Sequence, residues 1–544
     1  MKISLNWLKS FIKINKSPEE IESLLTNVGL EVDEVITLSS DKDLLKKLRV
    51  GQIKEIKKHP DADRLSITKV DLEDKISSII CGAKNIEVGQ KVVVAIPGTT
   101  IKTIDGNKIK IKKTKIRGID SDGMICAEDE IGVGKSHSGI IVLEKNAKVG
   151  DSTVNYLNPL DDTTFDISLT PNRADAASHL GVARDIKAIT GEKINLPDIS
   201  SFKNQENSKI DIKIDEKNAC PRYAGCIIEG VKVMESPSFI KDHLNAIGIN
   251  PINNVVDITN YVLHSLGQPL HAFDLDQIKK NKIIVKYAKK NEKFKTLDGE
   301  KRSLNDNDLM ICDGDSSPMC IAGVFGGENS GVTNKTSKIF LESAYFNPSD
   351  IRTSSQNHQL KTDASYRFER GIDPNITIYA LKYAALLICK YSGGAVTSKV
   401  YDNYPKEIEN QNIEFNLERI NQLAGHNFNK NEIIKILNSL DIEVKEKKSL
   451  LVANVPPYRV DVTREADILE EILRVYGYNN LKISKSNKSN FLSGERVSSR
   501  EDQILNNVFS TLLNSGFFEI TTNSLTTNKL RKFSYWDNEK TVEM

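Results

Sequence analysis

Apolar positions recur at two different periods along the chain, and the switches between them divide it into segments. Ser17-Pro18-Glu19-Glu20 opens a helical pattern with a serine cap, a proline in first position and acid in the first turn. Ile21, Leu24, Leu25 and Val28 supply its apolar face and Gly29 ends it, so residues 1–41 read as a helical lead-in. From 42 to 152 the pattern shortens to strands at Val50–Ile56, Leu65–Val70, Ser77–Cys81, Lys91–Ala95 and Ile109–Ile116. Five such strands predict a small closed barrel. Residues 153–210 read as a connector, with a turn-rich Thr170–Asp175, a helix from His179 to Thr190 and a polar, aperiodic linker at 198–210. Residues 211–400 alternate strands and helices, which predicts an α+β or α/β unit. In 408–484, a helix after Phe415 ends at Gly425 and Asn429 caps a second helix with Ile433, Ile434, Ile436, Leu437 and Leu440 on its apolar face. Strands follow around Val444 and Leu451–Val455. From 490 to 544 an amphipathic helix, Arg500–Ser515, turns Ile504, Leu505, Val508, Leu512 and Leu513 inward, and Phe517–Leu525 reads as a strand.

Composition supports several separate cores. The chain has 544 residues, 39% hydrophobic and 27% charged, and single cores stop growing near roughly 250–300 residues. It holds no apolar run of the roughly 18 residues that a membrane helix needs. The opening MKISLNWLKSFIKI lacks the continuous apolar centre of a secretory signal. Seven cysteines without a CxxC pair argue against zinc and a disulfide framework, and for a cytoplasmic protein. The net charge of +1 is uninformative, but its local distribution is not. Lys108, Lys110, Lys112, Lys113, Lys115 and Arg117 crowd one stretch of the predicted barrel. Such a basic face on a barrel of the oligonucleotide-binding (OB) kind suits a phosphate backbone, and it equally suits an edge strand whose lysines deter pairing.

Two stretches of the 211–400 segment carry candidate chemistry. In Asn253–Asp276 an apolar run is interrupted by Asp257, Thr259 and Asn260, and His271 follows the breaks at Gly267 and Pro269. In Ser317–Phe346 several glycines permit tight turns or close backbone approach, and Glu342 sits inside the apolar Ile339-Phe340-Leu341 run. Together they suggest a pocket with one imidazole and one carboxylate, or a buried and satisfied polar cluster. A separate acidic group lies near the end of the 408–484 segment. Asp467, Glu470 and Glu471 fall at i, i+3 and i+4 on one helix face, and Asp461 can turn toward them. Four oxygen donors suit a hard cation such as Mg²⁺; a solvated face with Arg474 pairing Glu470 is the alternative. Neither a Ser-His-Asp or Cys-His set nor a phosphate-cradling loop is legible, so amino-acid activation by this chain alone is not expected.

The motifs sharpen this picture by resemblance. H-P-x-A-D-R-L at His59–Leu65 and S-x-G-M-I-C at Ser121–Cys126 resemble a tRNA-binding module appended to several synthetases. DITNYVLHSLGQPLHAFD, IAGVFGGENSGVT and SYRFERGIDP (Ser365–Pro374) resemble the central domain of the bacterial phenylalanyl-tRNA synthetase beta subunit, in that family's order. The resemblance implies an α+β multidomain chain: a lead-in (1–41), an OB-fold tRNA-binding barrel (42–152), a connector (153–210) and a B3/B4 editing domain of α/β type (211–400). A B5 helical and winged domain (408–484) follows, then the start of a class II synthetase-like core (490–544) that stops in mid-module at Met544.

What that family does is implied in the same way. The central domain would hydrolyse tyrosine mistakenly attached to tRNA(Phe), since a site that hydrogen-bonds a hydroxyl can favour tyrosine by about 10⁴ or more. Carried over by motif, His271 and Glu342 would recognise the hydroxyl or hold the ester, and Thr259 and Asn260 would contact substrate. Ala322 and Gly323 would keep the pocket floor small, and a positioned water would attack. The six barrel cations would meet tRNA. Asp461, Asp467, Glu470 and Glu471 would bind magnesium at the boundary with an alpha subunit. That partner would form an α₂β₂ ligase and carry out activation with ATP and phenylalanine. A free-standing editing hydrolase and a tRNA-binding protein without activity are the other two classes.

Overall fold

The lead-in and the connector, read above as separate segments, pair with one another. In the computed structural model, which describes residues 1–38, 42–102, 108–133, 139–144, 146–157, 162–447, 450–482, 499–525, 527 and 529, strand Asp162–Ser168 lies between Lys2–Ser4 and Glu31–Leu38, antiparallel to both. Helix Leu5–Phe11 starts at Ser4, whose hydroxyl accepts from the Trp7 amide. The Trp7 indole is fully buried, stacks on His179 at 4.1 Å and Tyr261 at 4.8 Å, and donates to Ser265 Oγ at 3.1 Å. The cap predicted at Ser17 forms a full capping box with Glu20 and starts helix Pro18–Asn27. Pairing between strands so distant in sequence leaves no trace in local periodicity, which is why the reading of 1–41 as an all-helical lead-in missed it.

The strand-rich segment is inserted between these paired strands. Its main sheet runs Met124–Ile125, Lys91–Ala95, Arg49–Lys58, Ser66–Asp71, Ile76–Cys81. The Asp122 amide donates to Ser78 O at 2.8 Å and the Ile80 amide to Ser121 Oγ at 3.1 Å, which brings the first strand of that order round to the last. The expected strand Ile109–Ile116 is broken in two: Lys108–Lys110 pairs with Thr100–Lys102, and Thr114–Ile116 pairs with Ile119–Ser121. The Arg117-Gly118 reversal, both residues at positive φ (46° and 87°), folds the second half back on Ile119–Ser121, so the two halves take different partners. The fifth barrel strand is instead Met124–Ile125, reached through Gly123, where a Cβ would lie 2.8 Å from Ala95 O.

The central region is built around two five-stranded sheets, with helices packed against them. One sheet orders Asp211–Ile214, Lys282–Tyr287, Leu309–Cys312, Pro318–Ile321 and Phe325–Gly326, with only its first pair parallel. The other is antiparallel, with Leu270–Asp274 and Arg222–Glu229 flanking Lys338–Tyr345. Strand alternation sends Phe273, Phe340 and Tyr223 into a core shared with the first sheet. It sends Ala272, Leu341 and Ala224 into a second core beneath helices Asn254–Leu266 and Thr377–Ser392. This is an α+β arrangement. The polar linker at 198–210 is an ordered strap, with the Asn207 and Ser208 amides donating to Thr397 O.

Beyond it, strands Gln411–Phe415, Leu450–Val455 and Glu443–Lys447 make a small sheet covered by helices Leu417–Ala424 and Lys430–Ser439, the first capped by Asn416 and the second by Asn429, as the sequence predicts for the second. Residues 1–481 form one compact unit and 482–544 a second. In the second, helix Arg500–Asn514 carries a Ser499–Asp502 capping box, and its Ile504, Leu505, Val508, Leu512 and Leu513 are exposed rather than inside. Phe517–Leu525 is not a strand; a strand needs a neighbour to pair with, and the described residues of this unit supply none.

Candidate editing pocket and nucleic-acid face

His271 and Glu342 meet because two strands register them. His271 on Leu270–Asp274 lies directly opposite Glu342 on Lys338–Tyr345, so both side chains leave the sheet on the face of Phe273 and Phe340. Glu342 is only 5% exposed, and its Oε2 accepts from the Tyr223 hydroxyl at 2.7 Å. Among the described residues no hydrogen bond reaches Oε1. Burial pushes the Glu342 carboxyl up to about 7, with the Tyr223 bond pulling it back. The same burial pushes the His271 imidazole down to about 4, and its buried Nε2 has no hydrogen-bond partner. Cys220 and Cys320 border the carboxylate; burial first, and the Glu342 charge second, hold both thiols far above their ordinary range. They therefore remain protonated at neutral pH and are not nucleophiles.

Bare backbone lies close to this pair. A Cβ at Gly326 would lie 2.8 Å from Leu297 Cδ1 and 3.1 Å from His271 Cε1, so the glycine lets the chain pass between them. Gly323 adopts φ +66°, and a Cβ there would come within 3.0 Å of Ile351, Phe346 and Phe368. Ala322 beside it is buried and its amide donates to Leu309 O. Thr259 and Asn260 stand apart from the pair. They belong to helix Asn254–Leu266, whose Ile258 and Val262 pack with Leu341 on the other face of the sheet. Thr259 Oγ1 donates to Val256 O at 2.7 Å. Neither residue hydrogen-bonds His271 or Glu342 among the described residues. Tyr223 was not singled out in the sequence; its only signal there is membership of the strand-like run Arg222–Glu229.

The six cations from Lys108 to Arg117 are all exposed. Lys108 and Lys110 ride one short hairpin strand, Lys112 and Lys113 the link, Lys115 the next strand and Arg117 its turn. Lys113 reaches Asp122 at 3.3 Å, and Arg117 donates to Asp61 O. His59, from the H-P-x-A-D-R-L motif, is buried and holds this hairpin through Nε2 to Ile116 O at 3.3 Å, while its Nδ1 accepts from the Asp61 amide.

The four acids expected to share a cation do not converge. Asp461 forms a paired contact with Arg459 at 3.1 and 3.0 Å, and Asp467 accepts the Thr463 and Arg464 amides at the helix start. Glu470 is exposed. Glu471 turns inward, accepting from Arg459 Nη1 at 2.5 Å and from Arg474 Nε and Nη2 at 2.8 and 2.6 Å. Burial opposes its charge, but the two guanidiniums prevail and hold the carboxyl at about 2. Spacing at i, i+3 and i+4 brings the three acids near one another along the helix, but Glu470 meets solvent while Arg459 and Arg474 claim Glu471. Arg474 also does not pair with Glu470, the alternative read from spacing. Among the described residues no cluster of three His, Cys, Asp or Glu side chains could hold a metal, so these acids do not fit the implied magnesium. Asp461 and Glu471 belong instead to a buried ionic lattice in which Arg173, Arg459 and Arg474 face them together with Asp175 and Asp185.

Comparison with known proteins follows these landmarks. Residues 48–152 match a putative tRNA-binding domain, 219–393 the B3/4 domain and 413–478 the tRNA synthetase B5 domain. The phenylalanine–tRNA ligase beta subunit of Bacteroides fragilis is 46% identical over 97% of this chain, and that of Porphyromonas gingivalis is 43% identical over the same share. The chain spans about 65% of the length of each. An N-terminal fragment of the phenylalanyl-tRNA synthetase beta subunit from Pyrococcus horikoshii aligns over 58% of this chain and 88% of that one, at 22% identity and a TM-score of 0.31. No described helix is long and apolar enough to cross a membrane. With its tRNA-binding, B3/4 and B5 domains in this order, the chain belongs to the family of phenylalanine–tRNA ligase beta subunits.

Proposed function

We propose that this chain handles tRNA(Phe) and proofreads it, hydrolysing tyrosyl-tRNA(Phe) in the pocket of His271 and Glu342. The observation that carries the reading is a buried carboxylate with one unshared oxygen, opposite an imidazole whose buried Nε2 has no partner. Polar atoms in such surroundings are costly unless something satisfies them, and a phenol hydroxyl entering the pocket would do so. A phenylalanine side chain offers no such group, so the pocket would bind the tyrosyl ester preferentially. With its pKa near 4 the imidazole is neutral at pH 7, and Nε2 is free to orient a water or the ester oxygens. Water then adds to the ester carbonyl carbon, the bond to the ribose oxygen breaks, and that oxygen takes the proton. By motif resemblance Ala322 and Gly323 would keep the floor of the site small, while Thr259 and Asn260, carried by the helix on the other face of the sheet, would meet substrate only away from His271 and Glu342. The exposed cations from Lys108 to Arg117 would track the tRNA backbone.

Aminoacylation itself would sit on an alpha-subunit partner in an α₂β₂ cytoplasmic ligase, with ATP and Mg²⁺ bound there. The test is hydrolysis of tyrosyl-tRNA(Phe) and phenylalanyl-tRNA(Phe) by this chain beside Glu342→Ala and His271→Ala. Selective loss of tyrosyl hydrolysis in either variant supports the reading. Equal hydrolysis of both esters by all three proteins would defeat it.

A further inference from the structure

Tyr223 is the buried partner of Glu342, and its place in the fold is more exact than packing requires. It projects from strand Arg222–Glu229, which pairs with Lys338–Tyr345 in a register that sets Tyr223 opposite Ala344 and Gly225 opposite Glu342. The glycine lets the Phe340 ring lie over its row, since a Cβ at Gly225 would fall 2.2 Å from Phe340 Cζ. The small Ala344 leaves room for the phenol, which reaches diagonally to Glu342 Oε2. The phenol is fully buried, and Glu342 is its hydrogen-bond acceptor.

We propose that Tyr223 is a positioning residue for proofreading: it occupies one carboxylate oxygen of Glu342 and thereby fixes the other as the acceptor for a substrate phenol. The inference rests on the editing function proposed above and adds the determinant of its hydroxyl selectivity. An unrestrained carboxylate in this site could rotate, offer either oxygen or protonate and turn donor. A hydroxyl donor on Oε2 favours the ionised, acceptor-only form and removes the rotational choice. The groups facing Glu342 are Tyr223 on the neighbouring strand, Cys220 just before that strand, Cys320 on Pro318–Ile321 and His271 on the strand at the other side. Protonated thiols and a neutral imidazole leave Tyr223 as the side chain among them that stabilises the anion.

Tyr223→Phe tests this in the full chain. The variant keeps the ring in the core and deletes the donor, so the Glu342 carboxyl should titrate about one pH unit higher. At pH 7 the ionised fraction, and with it the tyrosyl-tRNA(Phe) hydrolysis rate relative to the unsubstituted chain, should fall about fivefold. By pH 9 the difference should shrink to about 10%. A purely structural role would reduce the rate equally at both pH values, and that result would overturn the proposal, as would an unchanged pH profile. The carboxyl midpoint is read independently by ¹³C NMR of glutamate-labelled protein, with Glu342→Gln assigning the signal. An upward-shifted midpoint in a chain that hydrolyses neither ester would defeat the editing function while leaving the hold of Tyr223 on Glu342 in place. An unshifted midpoint would remove the hold itself.

Discussion

Glu471→Ala separates a structural carboxylate from a metal ligand. The substitution deletes the acceptor of three short bonds, from Arg459 Nη1 (2.5 Å), Arg474 Nε (2.8 Å) and Arg474 Nη2 (2.6 Å). Both guanidiniums are buried, Arg459 at 4% and Arg474 at 6% exposure, so water cannot readily replace the lost oxygens. Arg474 retains Asp185 at 2.7 Å and Arg459 retains Asp461 at 3.0 Å, which limits the damage. Breaking a buried pair by removing one partner costs about 3–5 kcal/mol, and the remaining acids put the expectation near the low end, about 3 kcal/mol. A chain of several domains does not unfold in one step, so local opening is the appropriate measure. Hydrogen exchange of helix Glu465–Tyr476 should accelerate on the order of a hundredfold, with the barrel unaffected. Magnesium should alter exchange in neither protein. Unchanged exchange in the variant, or protection by magnesium that requires Glu471, would refute the reasoning.

The pocket carboxyl makes stability depend on pH. Glu342 titrates near 7 against an ordinary 4.5, so the folded state holds its proton longer; the stabilisation is complete below 4.5 and lost as pH rises through 7. Glu342→Gln should remove about 3 kcal/mol of that variation, seen as a denaturation difference from the parent that grows between pH 5 and 8; a constant difference would contradict it. His271 runs the opposite way: titrating near 4 instead of 6.5, it costs stability as pH falls from 6.5 to 4, and His271→Phe should flatten acid denaturation in that window. Gly323→Ala should cost about 2 kcal/mol, through positive φ and crowding against Ile351, Phe346 and Phe368, measured by exchange in the adjoining strand. Replacing Lys108, Lys110, Lys112 and Lys115 by Ala should flatten the salt dependence of tRNA binding by about 0.7–0.9 for each phosphate left without its cation, and an unchanged slope would remove these lysines from the interface.

Local chemistry was well inscribed in the sequence. The caps at Ser17, Asn416 and Asn429 and the glycine stop at Gly425 form as their residue types require, because a cap is decided within four residues. Polar residues interrupting apolar runs brought His271 and Glu342 to attention, the family motifs gave them a role, and their cross-strand register is the geometry that neither could show. Tyr223 stayed hidden because its run, Arg222–Glu229, is buried on both faces and so lacks the alternation that exposes a special side chain. The acidic cluster misled for a related reason. Helical spacing says which side chains share a face, but whether that face meets solvent or Arg459 depends on chain folded from elsewhere. The lysine-rich stretch looked like one strand because its composition continues unchanged through Ile111–Lys113, where the chain changes its pairing partner.

The interposed barrel has a consequence for synthesis. Strand Lys2–Ser4 finds its partner at Thr164–Asp166, and the barrel is made in between. At about 5–20 residues per second the ribosome takes on the order of ten seconds to deliver that partner. During this interval Trp7, Leu8 and Phe11, all destined for the interior, have neither their sheet nor the helices that will cover them. The barrel can meanwhile close, because its ends are already tied by the Val50 amide to Asp151 O. The Lys2–Phe11 segment is thus made well before the strand and helices that secure it, and nascent chains paused before residue 162 should be the ones that chaperones hold.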